Sequence, residues 1–161
     1  MSFVDRPKPG SWKLSRAELD GAINAIRKRR RIDQTHDIPY VAGYSRDGKT
    51  LYLDRMLPDT IPIDGKDINI AQFIILHEEI EKALEDEVQL AYLHAHQIAL
   101  RGELAAVAAN GIDWRAYNTA TLKLCAKIGA RREYPNCPKD LDLTPYKDEK
   151  DKQTLARMVF K

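Results

Sequence analysis

Between residues 73 and 107, apolar residues recur every three and four positions along two successive segments, and each segment breaks its own stripe with one histidine and one glutamate. The first stripe reads Phe73, Leu76/His77, Ile80/Glu81, Leu84, Val88, and the second reads Tyr92, His96, Ala99, Glu103, Ala106/Val107. Such spacing defines the buried face of an amphipathic helix. A lone ionised carboxylate at a core position costs several kcal/mol, so the chain must fold in a way that brings a cation to Glu81. Lys82 is adjacent in sequence but points about 100° away around the helix, whereas His77 sits one turn back on the same side. A short connection makes the two helices antiparallel neighbours and sets His96 opposite His77.

The rest of the chain reads as one α+β domain: a small antiparallel β-hairpin sheet packed on a predominantly helical body. At 161 residues, with 43% apolar and 31% charged side chains, the chain removes roughly 70% of its unfolded surface from water and needs no metal or disulfide to hold its core. A metal site is therefore free to serve chemistry. Residues 1–14 are expected to form an irregular arm anchored by Trp12, residues 15–138 the core, and residues 139–161 a tail with one last exposed helix. Ser15 and Glu18 have capping-box spacing, starting a helix that runs to Arg31 and ends in the basic run 27–31. Those cations suit the negative end of the helix dipole, and the alternative reading is a phosphate-contacting patch. From Tyr40 the period changes to two, and Asp47-Gly48 between two alternating runs predicts a hairpin of strands 40–45 and 50–54. Pro58 and Pro62 interrupt a continuation, and Asp64-Gly65 marks a further turn. Asn69 and Gln72 predict the start of the 69–88 helix, with Ile68 packed on Phe73. Asn110-Gly111 ends the helix that follows it, and Asp113 caps a further one over 114–128.

Three of the four histidines lie within 20 residues, His77, His94 and His96. The segment His77-Glu78-Glu79-Ile80-Glu81 reads HExxE. It resembles the HExxH helix of zincin-type metallohydrolases with the second ligand changed from His to Glu, and the hairpin ahead of it resembles the small sheet that leads into that helix. The chain is also similar to small uncharacterised proteins of bacteria and their phages that carry an HExxEK helix followed by AHxxAxxxE, here Ala95 to Glu103. The resemblance implies a zincin-like fold, zinc as cofactor, His77 as a ligand, Glu78 as the general base that activates the metal-held water, and a peptide or small-molecule substrate. Glu81 and His96 complete a His₂Glu set with His77. Glu103 is either a fourth ligand or a hydrogen-bond partner that orients His96, the latter favoured. His94 points about 160° from His96 and, like Tyr92, is a candidate transition-state donor. His36 reads as structural.

The competing reading is a metal-free network in which His77 and His96 are hydrogen-bonded to Glu81 and Glu103. In that case the chain is a non-catalytic binding or assembly module, phage-associated, contacting nucleic acid or a protein through its basic first helix. Charge alone argues weakly for a polyanion partner, because the net charge is only +2. It is, however, polarised: residues 1–34 hold nine Lys/Arg against four Asp/Glu, and residues 64–87 hold two against eight. Glu-x-x-His on two helices, as di-iron bundles require, does not occur, nor do phosphate-cradling glycine loops or a G-x-S-x-G elbow. No run of about 18 apolar residues argues for a membrane span. The first residues show no apolar stretch behind a positive start, so the expected setting is the cytoplasm. Cys125 and Cys137 are expected to be reduced bystanders.

Overall fold

The computed structural model describes residues 16–131, 133–144 and 158–160. The expected N-terminal arm, Trp12 and Ser15 of the capping box lie outside them, as does most of the expected last helix. The elements run α1 (Arg16–Arg29), β1 (Arg31–His36), β2 (Ala42–Tyr44), β3 (Thr50–Asp54), β4 (Ile61–Ile63), β5 (Lys66–Ile68), α2 (Ala71–Asp86), α3 (Tyr92–Ala109), α4 (Trp114–Gly129), β6 (Tyr134–Cys137) and β7 (Met158–Phe160). The architecture is α+β. Among the described residues no helix is long and apolar enough to cross a membrane.

The expected hairpin is present as β2 and β3, paired antiparallel from Ala42↔Leu53 to Tyr44↔Leu51. At its turn Gly48 has φ +67, and the Asp47 carboxylate accepts from Ser45 Oγ (2.7 Å) and Lys49 N (3.0 Å). The sheet is nevertheless mixed, a correction to the antiparallel expectation: its order is β1-β3-β2, and β1 runs parallel to β3. Strand β1 is Arg-Ile-Asp-Gln-Thr-His, mostly exposed, so it carries no alternating apolar signal. Backbone pairing recruits it, with Arg31 N bonding Lys49 O at 2.8 Å, and side-chain contacts support it, Arg31 Nε to Thr50 Oγ1 (3.0 Å) and Gln34 Nε2 to Leu57 O (2.8 Å). Residues 61–68 form a second hairpin that Pro62 obscured. Asp64 (φ 48) and Gly65 (φ 75) make its two-residue turn, the left-handed pair that matches strand twist. Met158–Phe160 is a strand paired parallel with β6. Leu141 is buried and bridges to Ser45, so the packed body continues past residue 138.

Helix starts and stops follow local chemistry. Asp113 caps α4 by accepting from Ala116 N at 2.8 Å. Gly111, at φ 68, lets Gly111 N reach Ala108 O and Ile112 N reach Val107 O, closing the end of α3. Helix α2 begins one residue later than the Asn69 cap implies, yet Asn69 Oδ1 still accepts from Ala71 N at 3.0 Å. The α2–α3 connection is five residues and turns on Gln89 at φ 61, with Leu90 N bonding Leu84 O at 2.9 Å.

Helix α2 is the centre of the molecule. Phe73 and Ile74 belong to a core shared with Leu53, Ile63, Val107, Tyr117 and Ile128, while Ile80, Ala83 and Leu84 belong to one shared with Ile23, Ile26, Leu51, Ala95 and Ala99. The unbroken run Phe73-Ile74-Ile75-Leu76 fits this burial on more than one side. A third cluster, Ile38, Tyr52, Tyr134, Cys137 and Leu141, closes the far end. It is tied by Asp37 and Asp54, both fully buried. Asp37 accepts from Arg55 Nε (2.7 Å), Arg131 Nη1 (2.9 Å) and Asn136 N (2.9 Å), and Asp54 pairs with Arg131. Burial works to raise the Asp37 carboxyl, but the hydrogen bonds from Arg55 and Asn136 and the two guanidinium charges outweigh it and hold it below the ordinary range.

Candidate metal centre

His77 and Glu81 are one turn apart on α2, and His96 and Glu103 are seven residues apart on α3, so the antiparallel pair meets 77 with 103 and 81 with 96. The helices approach closely here. A Cβ at Gly102 would meet Ile80 Cδ1, the tip of a side chain on α2, which would have to move aside.

Three ligand-type atoms converge. His77 Nε2 lies 3.2 Å from His96 Nδ1 and 3.5 Å from Glu81 Oε2, and His96 Nδ1 lies 2.8 Å from Glu81 Oε2. Tetrahedral zinc with arms of 2.0–2.1 Å spans about 3.3 Å between neighbouring ligand atoms. The observed triangle brackets that edge, and the His₂Glu donors are ones zinc accepts, so the residues fit such an ion. The His77 and Glu81 side chains are 11% and 12% exposed and His96 is 39% exposed, so the cluster opens toward solvent on the α3 side.

Glu103 orients His77 rather than His96, and together with the His96–Glu81 bond this is the pairing of the hydrogen-bonded network considered above. Glu103 Oε2 accepts from His77 Nδ1 at 2.9 Å, not from His96, and its Oε1 accepts from Tyr117 OH at 2.6 Å. The bond to Nδ1 turns Nε2 to the triangle, the carboxylate–histidine arrangement that orients metal-binding imidazoles. Tyr117 was not anticipated. It comes from α4, fully buried, with its ring edge-on to Phe73 (5.5 Å) and tilted on Trp114 (5.5 Å). The available signal was a tyrosine on the buried stripe Tyr117, Thr121, Leu124, Ile128, because a buried phenol needs a partner.

In the absence of an ion the charges of the cluster favour a protonated His77, a proton that a metal would have to displace. Burial disfavours the imidazolium of His77, but hydrogen bonds to Glu103 and Glu81 and the charge of Glu78 overcome it and raise its pKa to about 10. Glu81 is pulled below its ordinary value despite burial, by hydrogen bonds from His77 and His96. Glu78 moves the other way: burial first, then the charge of Glu81, pushes its carboxyl up. It lines a small cavity together with Glu81, behind the triangle.

The other candidates separate. The Tyr92 ring lies 5.7 Å from the His96 ring. His94 is exposed, and among the described residues it makes no hydrogen bond or ring contact with the cluster. His36 pairs with Asp33 (3.1 Å) and packs edge-on to Tyr52. Cys125 and Cys137 are free thiols, and burial together with the charge of Asp37 pushes Cys137 up to about 11. The basic run is largely engaged within the molecule. Arg27 and Arg30 pair with Glu79, which is 1% exposed, Arg29 pairs with Asp86 and Glu87, and Arg31 Nε donates to Thr50 Oγ1. The opposite charges of the first helix and of residues 64–87 thus meet each other. A cavity of about 660 Å³ between β4 and α4 shares no residue with the histidine cluster.

No known protein family, curated protein or solved structure matches the chain.

Proposed function

We propose that the protein is a metal-dependent hydrolase of zincin-like type, with a zinc ion held by His77, Glu81 and His96 and a peptide as the favoured substrate. The supporting observation is the triangle of ligand atoms, 2.8 to 3.5 Å on a side, drawn from two helices with His77 pre-oriented by Glu103. A bound zinc ion supplies Lewis acidity, polarising a carbonyl and making water acidic near neutral pH. Glu78, one position after the first ligand, takes the proton of the attacking water and returns it to the leaving group. Glu103 and Tyr117 hold His77 in one tautomer, and the exposed edge of His96 beside Tyr92 is the side on which substrate enters.

A nucleic-acid or assembly module working through the first helix draws less support, because Arg27, Arg29 and Arg30 already face carboxylates of α2 and the residue after it. Elemental analysis of the purified chain tests the centre, and peptide hydrolysis tests the chemistry. One zinc per chain is expected, lost in His77→Ala. Hydrolysis is expected to stop with a chelator, to return with zinc, and to fall by about 10²-fold or more in Glu78→Gln with zinc retained. A wild-type chain without metal, or a metal content unchanged in His77→Ala, rejects the proposal.

A further inference from the structure

We propose that the cavity between β4 and α4 is a docking groove for an extended, acidic and apolar peptide segment of another protein. The space measures about 660 Å³, within the range of sites that hold ligands. Ile61, Pro62 and Ile63 form its hairpin wall, and Ala116 and Ala120, one turn apart, form its helix floor. Ile61, Ile63 and both alanines also pack on the central core. The floor is therefore fixed, and two methyl groups leave depth where larger side chains would fill it. Arg115, Thr119 and Lys123 follow one another at intervals of four on α4 and form the rim.

Charge selects the occupant. Helix α4 carries Arg115, Lys123 and Lys127 and no carboxylate. Arg115 and Lys123 are exposed, and among the described residues neither makes an ion pair or a side-chain hydrogen bond. Arg27, Arg29 and Arg30 of α1, by contrast, already face carboxylates. Two aspartates line the groove as well. Asp113 is engaged at the helix start, where it accepts from Ala116 N at 2.8 Å, and Asp64 stands on the hairpin side, at the turn. The helix wall thus stays positive, and the occupant turns carboxylates to α4 and apolar side chains to Ile61 and Ile63. Arg115 and Lys123 are about 12 Å apart along the helix, which an extended chain spans in about four residues. Pro62, Asp64, Arg115, Thr119 and Lys123 are exposed, so the groove is an open trough, whereas small-molecule sites enclose most of their ligand. Among the described residues no aromatic side chain lines it, so a single-stranded nucleic acid would find no stacking platform. The groove shares no residue with the histidine cluster and does not depend on the metal-centre reading.

The test is fluorescence anisotropy of the labelled peptide Gly-Glu-Leu-Ser-Leu-Glu-Gly, titrated with the full chain at low salt. Saturable binding with a Kd of about 1 mM or tighter is expected for wild type and for His77→Ala. Arg115→Glu, Lys123→Glu and Thr119→Trp should each weaken it about tenfold or more, the last by filling the trough from an exposed position. Lys28→Glu, the same charge change at an exposed position on α1, should alter binding less than about twofold. The peptide with lysine in place of both glutamates should not bind. Absence of saturable binding, or an equal loss in Lys28→Glu and Lys123→Glu, overturns the proposal. Decanoate or single-stranded oligothymidylate that binds more tightly than the peptide, and is lost in Thr119→Trp, overturns it in favour of a small amphiphile or a nucleic acid. Self-association of the chain that Thr119→Trp abolishes overturns it in favour of a second copy.

Discussion

Glu103 on α3 holds His77 on α2 by a 2.9 Å hydrogen bond to Nδ1, leaving Nε2 as the only nitrogen of that ring that faces Glu81 and His96. The carboxylate is itself fixed by Tyr117 from a third helix. One imidazole is thus oriented by residues from two other elements, and if the proposed ion binds, disturbing either of them should be felt there without changing His77, Glu81 or His96.

Glu103→Gln weakens the negative charge behind His77 while keeping the shape of the side chain. Zinc affinity is expected to fall about 10- to 100-fold, and Tyr117→Phe is expected to produce a smaller loss. Competition against a chromophoric chelator measures both. Unchanged affinity in Glu103→Gln would show that the 2.9 Å contact does not act on a bound ion.

Protonation of His77 links pH to the stability of the metal-free chain. Its folded pKa, about 10, lies above the ordinary 6.5. The folded state therefore binds the proton more tightly than the unfolded one, and this stabilisation is full below pH 6.5 and lost as pH rises through 10. Relative to His77→Gln, the metal-free wild type should lose Tm steadily across that window. Zinc must displace the same proton, so its binding at neutral pH should release protons, detected calorimetrically in buffers of differing ionisation enthalpy. A difference in Tm that stays flat from pH 6.5 to 10 would contradict the assignment.

Glu79 is buried and its guanidinium partners are not, which makes the two sides of the pair unequal. Removing Arg27 and Arg30 together strands a carboxylate in the core and should cost about 3 kcal/mol or more in urea denaturation at neutral pH. Glu79→Leu releases the arginines to water and should cost far less. Equal costs would mean that the burial of Glu79 is not maintained in solution.

Gly102 on α3 packs against the tip of Ile80 on α2. Gly102→Ala drives a methyl into Ile80 Cδ1 and should destabilise by about 1–3 kcal/mol, and it should loosen zinc binding by moving His96 from His77. Ile80→Val removes the colliding atom, so the double variant should recover much of both losses. Additive losses in the double-mutant cycle would place the effect elsewhere.

The amino-acid sequence by itself determined what is local. Periods of three and four placed His77 and Glu81 on one face of a helix and His96 and Glu103 on one face of the next, Asp47-Gly48 specified a hairpin, and Asp113 and Gly111 punctuated helices, because spacing and turn chemistry act within a few residues. Tertiary structure decided the partners. Strand β1 is recruited by the backbone edge of β3 and by contacts from Arg31, Gln34 and His36, and its polar sequence carries no period to betray it. Glu79 looks like a solvent-facing residue until α1 brings arginines over it. Glu103 turned to His77 rather than His96, and Tyr117 joined the cluster from a further helix, because a side chain's partner is set by which faces the packing of α2 against three neighbours brings together. No sequence spacing encodes that choice.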